Sequence, residues 1–147
     1  MEWQVIPWTQ EMLEESVDFL IDVFSREPWN ETYDSRKQVE DYFRNMADNN
    51  YFVGFAGLLD GRLAALCLGM KKAWIQGMEY YIDSFSVRYD LQGQGIGSRF
   101  LQEIESCLPA LGLKGVMLTT DRTAPAFRFY EKNGMTSLEE LRIFVKG

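Results

Sequence analysis

The sequence predicts an α+β protein with a mixed, mainly antiparallel central sheet flanked by helices. Three observations carry that prediction. Strand-like and helix-like runs follow one another in the order β-α-α-β-β-β-α-β-α-β. Asp60-Gly61 sits between two apolar runs, a strong hairpin signal. The chain has 147 residues, 46% of them hydrophobic, with no linker, repeat or low-complexity stretch, so residues 1–147 are expected to form one domain.

Each element has a local cause. Glu2 to Trp8 alternates weakly and reads as a strand. Thr9 is placed to cap a helix over Gln10 to Phe24, with Met12, Val17, Leu20, Ile21 and Phe24 on its apolar side. Pro28-Trp29-Asn30 interrupts it. Ser35 with Gln38 makes a capping box for a second helix that turns Val39, Tyr42, Phe43 and Met46 inward and stops at Asn49-Asn50. Tyr51 to Leu59 and Arg62 to Met70 are the hairpin strands. Lys71 to Gly77 reads as a loop, and Met78 to Val87 as a long strand. A helix over Ser98 to Leu108 ends near Pro109 and Gly112. Val116 to Thr120 is a strand. Pro125 opens a short helix to Lys132, which Asn133-Gly134 ends. Leu138 to Val145 is expected to close the sheet as one or two short strands.

Composition excludes several chemistries. Twenty-two acidic against fifteen basic residues give a net charge of -7, which argues against nucleic-acid or anionic-membrane binding. It permits a cationic or amine-bearing partner. The absence of histidine excludes Ser-His-Asp and Cys-His catalysis and His-ligated metal, and no metal is expected. Cys67 and Cys107 are expected to be two buried thiols in a reducing compartment. Met1-Glu2-Trp3-Gln4 lacks the basic start of a signal peptide. The longest apolar runs are too short to span a bilayer, so the expected location is the cytoplasm.

The most informative stretch is Gln92-Gly93-Gln94-Gly95-Ile96-Gly97, between a strand and a helix. Glycine lets a ligand approach main-chain N–H groups, and a helix N-terminus leaves such donors unpaired with partial positive charge. Together they suggest a phosphate cradle. A dinucleotide fingerprint fits poorly: Ser98 stands at the third glycine, Arg88 to Gln92 intervene after the strand, and an antiparallel hairpin precedes it, although Asp121 mimics the ribose-binding acid. A P-loop fails because no Gly-Lys-Ser/Thr follows. A plain glycine turn entering a helix remains the bland alternative.

The surrounding residues carry a resemblance. The segment from Val87 to Leu101 closely resembles motif A of the GNAT superfamily of acyl-CoA-dependent N-acetyltransferases, Gln/Arg-x-x-Gly-x-Gly/Ala, met here by Gln92, Gly95 and Gly97. About thirty residues later, Ala126 to Met135 resembles the family's second motif, Ala-x-x-Phe-Tyr-x-x-x-Gly-Phe. The element order resembles the GNAT fold over nearly the whole chain.

The resemblance implies a GNAT-like N-acetyltransferase that moves acetyl from acetyl-CoA directly to a primary amine, with a small molecule as the expected acceptor. The alternative is a non-catalytic acyl-CoA-binding or regulatory module on the same fold. It further implies that the backbone of Phe85, Ser86 and Val87 binds the acetyl carbonyl and pantetheine. Gln92, Gly93, Gln94, Gly95, Ile96, Gly97 and Ser98 would hold the pyrophosphate, where a side chain at Gly95 or Gly97 would crowd the phosphates. Ala126 and Phe129 belong to the cofactor side. So does Thr123, which stands where many members have asparagine and keeps a hydrogen-bonding oxygen. Tyr130 aligns with the family tyrosine that protonates the coenzyme A sulfur. Asp83, with Glu79 four residues before it on the same strand, is the expected base. Trp29, Glu31 and Tyr33, between the first two helices, are expected to form the amine pocket. Because many members dimerise, a homodimer is open to this chain.

Overall fold

The computed structural model describes residues 2–74 and 77–147. Its sheet runs β1 (Trp3–Pro7), β2 (Phe52–Leu59), β3 (Arg62–Trp74), β4 (Gly77–Val87), β5 (Val116–Leu118), in that spatial order. The first three pairings are antiparallel and β4 with β5 is parallel. The β2–β3 hairpin turns on Asp60 and Gly61, both with positive φ (51° and 78°), the backbone that a two-residue turn matching the strand twist requires.

Two layers of helix cover the sheet. Helices α1 (Leu13–Ser25) and α2 (Arg36–Ala47) pack Val17, Leu20, Val23, Val39 and Phe43 against Ala56, Leu66 and Leu68. Helix α3 (Ile96–Cys107) packs Phe100, Leu101 and Ile104 against Ala65, Cys67, Tyr80 and Ile82 on the opposite face, with Phe129 and Tyr130 of α4 (Pro125–Lys132) at its margin. Strand β3 is therefore buried on both faces, which is why Leu63 to Leu68 is continuously apolar. Each fully buried side chain such as Phe100 or Leu101 contributes about 1.5–3 kcal/mol. Arg36 ties the first two helices together, bridging to Glu14 at 2.8 Å and to Asp18.

Several expectations hold closely. Ser35 Oγ accepts from the Gln38 N–H at 3.3 Å, and Gln38 reaches back to the Asp34 N–H at 2.9 Å. The boundaries of α4 fall where Pro125 and Asn133-Gly134 put them. Other expectations are corrected. Thr9 makes no side-chain cap. A 3-10 turn over Gln10–Met12 precedes α1 instead. Lys71 to Trp74 is not loop, since β3 continues through it, pairing Lys71 with Tyr80 and Trp74 with Gly77. Gly77 is not loop either but opens β4, and the remaining residues of the expected loop, 75 and 76, lie outside the described residues. Helix α3 starts at Ile96, so Gly97 lies inside it.

The closing strand at Leu138 to Val145 is not formed. The segment is irregular, with Ile143, Phe144 and Val145 exposed by 73–92%. Alternation alone does not make a strand, because a strand needs a ladder partner. Among the described residues its side-chain polar contacts are Arg122 with Glu139 at 3.8 Å, both exposed, and Arg142 donating to the Glu139 carbonyl at 3.3 Å within the segment. Only one of the expected buried thiols is buried. Cys67 is inaccessible, but Cys107 is exposed, on the solvent side of α3 between the inward Ile104 and Leu108. Among the described residues no helix is long and apolar enough to cross a membrane.

Two irregularities of β4 position the site. The first is a bulge. Leu68 faces Ser84 and Gly69 faces Ile82, leaving Asp83 as the extra residue. A Cβ at Gly69 would run into the Tyr81 carbonyl oxygen and lie 3.0 Å from Ile82 Cα, so the bulge needs glycine opposite it. The second is a splay. Strand β5 pairs with β4 only at Tyr80, Tyr81 and Ile82. From Asp83 to Val87 that side of β4 has no neighbouring strand among the described residues, so its main-chain groups there have no ladder partner on that side, and the Val87 carbonyl is met by the Gln92 side chain instead.

Candidate active site

A cleft of about 330 Å³ opens along the splay. Phe85, Ser86 and Val87 form one wall, and Ala126, Phe129 and Tyr130 the other. Gln92, Gly93, Gly95, Gly97 and Ser98 line its far end, and Phe24 and Trp29 close it toward α1. The structure thus gathers residues from both sequence motifs around one space.

The glycine turn has a left-handed backbone. Gly93 and Gly95 have φ of 77° and 84°, and a Cβ on either would meet no protein atom within 4 Å, so within the protein it is backbone conformation that demands glycine there. Gly97 differs, since its Cβ would come within 3.0 Å of the Phe129 ring and 3.5 Å of Val87. Within the protein itself, Phe129 thus closes Gly97 to a side chain. Gly95 is the N-cap of α3 and no side chain caps that end. The N–H groups opening α3 face the cleft end with the positive pole of the helix. Gln92 donates to the Val87 carbonyl at 2.9 Å, bracing the turn against the end of β4.

Two further groups fit an acyl thioester with a phosphate tail. Ser86 Oγ is buried without a hydrogen-bond partner, an unsatisfied polar atom in the cleft wall. Among the described residues Lys132 is the one cation lining the cleft. Sequence reasoning missed it, although it lies two residues beyond Tyr130 in the second motif. Tyr130 packs edge-on against Phe129 at 5.2 Å and Phe85 at 6.2 Å. Burial pushes its phenol well above 10.0, and the nearby Cys67 adds to the shift, so Tyr130 holds its proton throughout the neutral range.

A second cavity of about 320 Å³ adjoins the first and shares Phe24 with it. Glu31, Tyr33, Asp83 and Ser84 line it, so two of the three expected amine-pocket residues lie here and Trp29 lies in the cleft. Tyr42, which sequence reasoning placed only in the core, donates its phenol to Asp83 Oδ2 at 2.6 Å. Burial first, and then this bond to Asp83, push the Tyr42 phenol far above its ordinary value. Burial, with the Glu31 carboxylate next, raises Tyr33 as well. No local signal marks Tyr42, because its partner is 41 residues away and reaches it through the bulge.

Four expected site residues line neither cavity. Glu79 lies with its carboxylate against Gly115. Gln94 donates to the Asp90 carbonyl at 3.0 Å, and Ile96 is the first residue of α3. Thr123 bonds to Asp121 through both its N–H (2.8 Å) and its hydroxyl (2.7 Å), closing a turn rather than facing the cleft.

Solved structures share this fold. A transcriptional regulator from Bacillus halodurans C-125 is 21% identical over 98% of this chain and 100% of its own, with a TM-score of 0.76. An aminoglycoside acetyltransferase from an uncultured soil metagenomic sample, in complex with sisomicin, is 17% identical over 99% and 95% (TM-score 0.75). AAC(6')-Iy, bound to the bisubstrate analog CoA-S-monomethyl-acetylneamine, is 10% identical over 100% and 99% (TM-score 0.77). A search of curated proteins returns no match. The sequence itself matches the Acetyltransferase (GNAT) family over residues 9–135, a span that takes in the glycine turn, the bulged strand and Tyr130 alike. With motif, splay and cleft in one place, the chain belongs to the GNAT family of acetyltransferases.

Proposed function

We propose that this protein transfers an acetyl group from acetyl-CoA to a primary amine of a small molecule. The observation that carries the proposal is the pair of cavities meeting at Phe24, one holding the glycine turn and Tyr130, the other Asp83. Acetyl-CoA supplies the acyl group: the amine nitrogen bonds to the carbonyl carbon, the C–S bond breaks, and one proton passes in net from nitrogen to sulfur.

The residues divide that work. The open edge of β4 at Phe85 to Val87 binds the thioester carbonyl, with fixed N–H dipoles where negative charge develops. The Gly93–Gly97 turn and the start of α3 hold the pyrophosphate, and Lys132 adds a charge-assisted contact. Asp83 accepts the proton of the attacking amine through the oxygen that Tyr42 leaves free. Tyr130 donates a hydrogen bond to the departing sulfur. Because burial makes its phenol a weaker acid, stabilising the thiolate matters more than complete proton transfer.

The test is thiol release from acetyl-CoA across a panel of amines. Release that depends on one class of amine supports the proposal. A flat response with every amine would leave an acyl-CoA-binding module instead.

A further inference from the structure

We infer that the acceptor is a small monoamine with an apolar body, held in the cavity between α1, α2 and the β4 bulge, and not a polycation. This rests on the acetyl-transfer reading above, and it narrows the acceptor from any amine to one chemical class.

The cavity has two kinds of wall. Leu20 and Val39, each about 95% buried, and the half-buried Phe24 make an apolar floor. Asp83 and Glu31, both exposed, stand at the rim beside the phenols of Tyr42 and Tyr33. Two carboxylates, with no cation lining the cavity among the described residues, favour a positively charged ligand. The carboxylates sit at one level and the apolar residues at another, so they select a molecule with the same division. An ammonium belongs at Asp83, one residue from Ser84 and two from Phe85 in the acetyl cleft. The remainder of the molecule then lies over Leu20, Phe24 and Val39.

Size and charge argue against polycations. A volume of about 320 Å³ is at the small end of the roughly 300–1,000 Å³ range of ligand pockets. A second or third ammonium placed over the apolar floor would lose its water without a counter-charge. An extended polyamine or a multi-ring aminocyclitol therefore fits worse than a phenylalkyl or branched alkyl amine. The aromatic rims of Tyr33 and Tyr42 add attraction for an ammonium beside them.

Two measurements on the intact protein test this. In the thiol-release assay, 2-phenylethylamine should exceed spermidine and an aminoglycoside in kcat/KM by about tenfold or more, and Leu20→Ala should raise its KM with little change in kcat. Equal or better use of spermidine or the aminoglycoside would overturn the inference while upholding acetyl transfer. Saturation-transfer NMR with 2-phenylethylamine, without acetyl-CoA, separates the two claims. Saturation of its ring protons, weakened by Leu20→Ala, supports the apolar floor even if no transfer occurs. Binding that Leu20→Ala leaves unchanged, or no binding, contradicts it.

Discussion

The cleft beside α3 and the cavity beneath α1 and α2 share Phe24, yet they are built by different means. The cleft sets backbone features, namely a left-handed glycine turn, an uncapped helix start and the open edge of β4, against the side chains of Phe129 and Tyr130. The cavity is made of side chains from α1, α2, the loop between them and the bulge, and its key contact, Tyr42 to Asp83, spans 41 residues. Backbone devices are written locally and suit a ligand portion that does not change. Side-chain walls are assembled non-locally and can vary with the acceptor while the fold stays fixed.

That contrast predicts separable effects. The largest is expected at Tyr130. Tyr130→Phe should lower kcat about 10²-fold or more, with the KM for acetyl-CoA nearly unchanged, in steady-state thiol release. An unchanged kcat would remove Tyr130 from the chemistry and leave it as packing against Phe85 and Phe129.

A smaller effect is expected across the shared wall. Tyr42→Phe deletes one charge-assisted hydrogen bond to Asp83, so kcat/KM for the amine should fall about tenfold. Acetyl-CoA affinity, read by calorimetry, should not move. Loss of acetyl-CoA affinity in that variant would mean that the two regions are one coupled unit.

The smallest effect concerns stability against pH. Cys67 is pushed up to about 12 by burial, against 9.0 when free, and Tyr42, Tyr80 and Tyr130 are raised from 10.0. The folded state keeps these protons at pH values where the unfolded chain has released them. Stability is therefore complete below about pH 9 and is lost as pH rises through the folded values. The melting temperature should fall by about 5 °C or more between pH 9 and 11. A flat profile over that interval would contradict the burial of Cys67 and Tyr80 on the α3 face.

Legibility in the sequence follows the same division. Pro125, Asn133-Gly134, Asp60-Gly61 and Ser35 with Gln38 each act within a few residues, and the structure keeps all four signals. The glycine turn was legible for the same reason. The bulge at Asp83 was not, because it depends on Gly69 in the neighbouring strand meeting the Tyr81 carbonyl. Tyr42 looked like one more inward residue of an amphipathic helix. Thr123 had a nearer partner in Asp121 than any cofactor. The missing strand at Leu138 to Val145 shows the limit of alternation, which gives the face of a strand but not its neighbour.

We propose above all that the Gly93–Gly97 turn and the start of α3 bind acetyl-CoA. Calorimetric titration of acetyl-CoA into the native protein and into Gly97→Glu, each first shown to melt cooperatively, tests it most directly. The added side chain meets Phe129 at once and brings a negative charge to the mouth of the phosphate turn. The expected result is one binding site in the native protein and none measurable in the variant. Equal affinity in the two, or no binding to the native protein, would contradict the account.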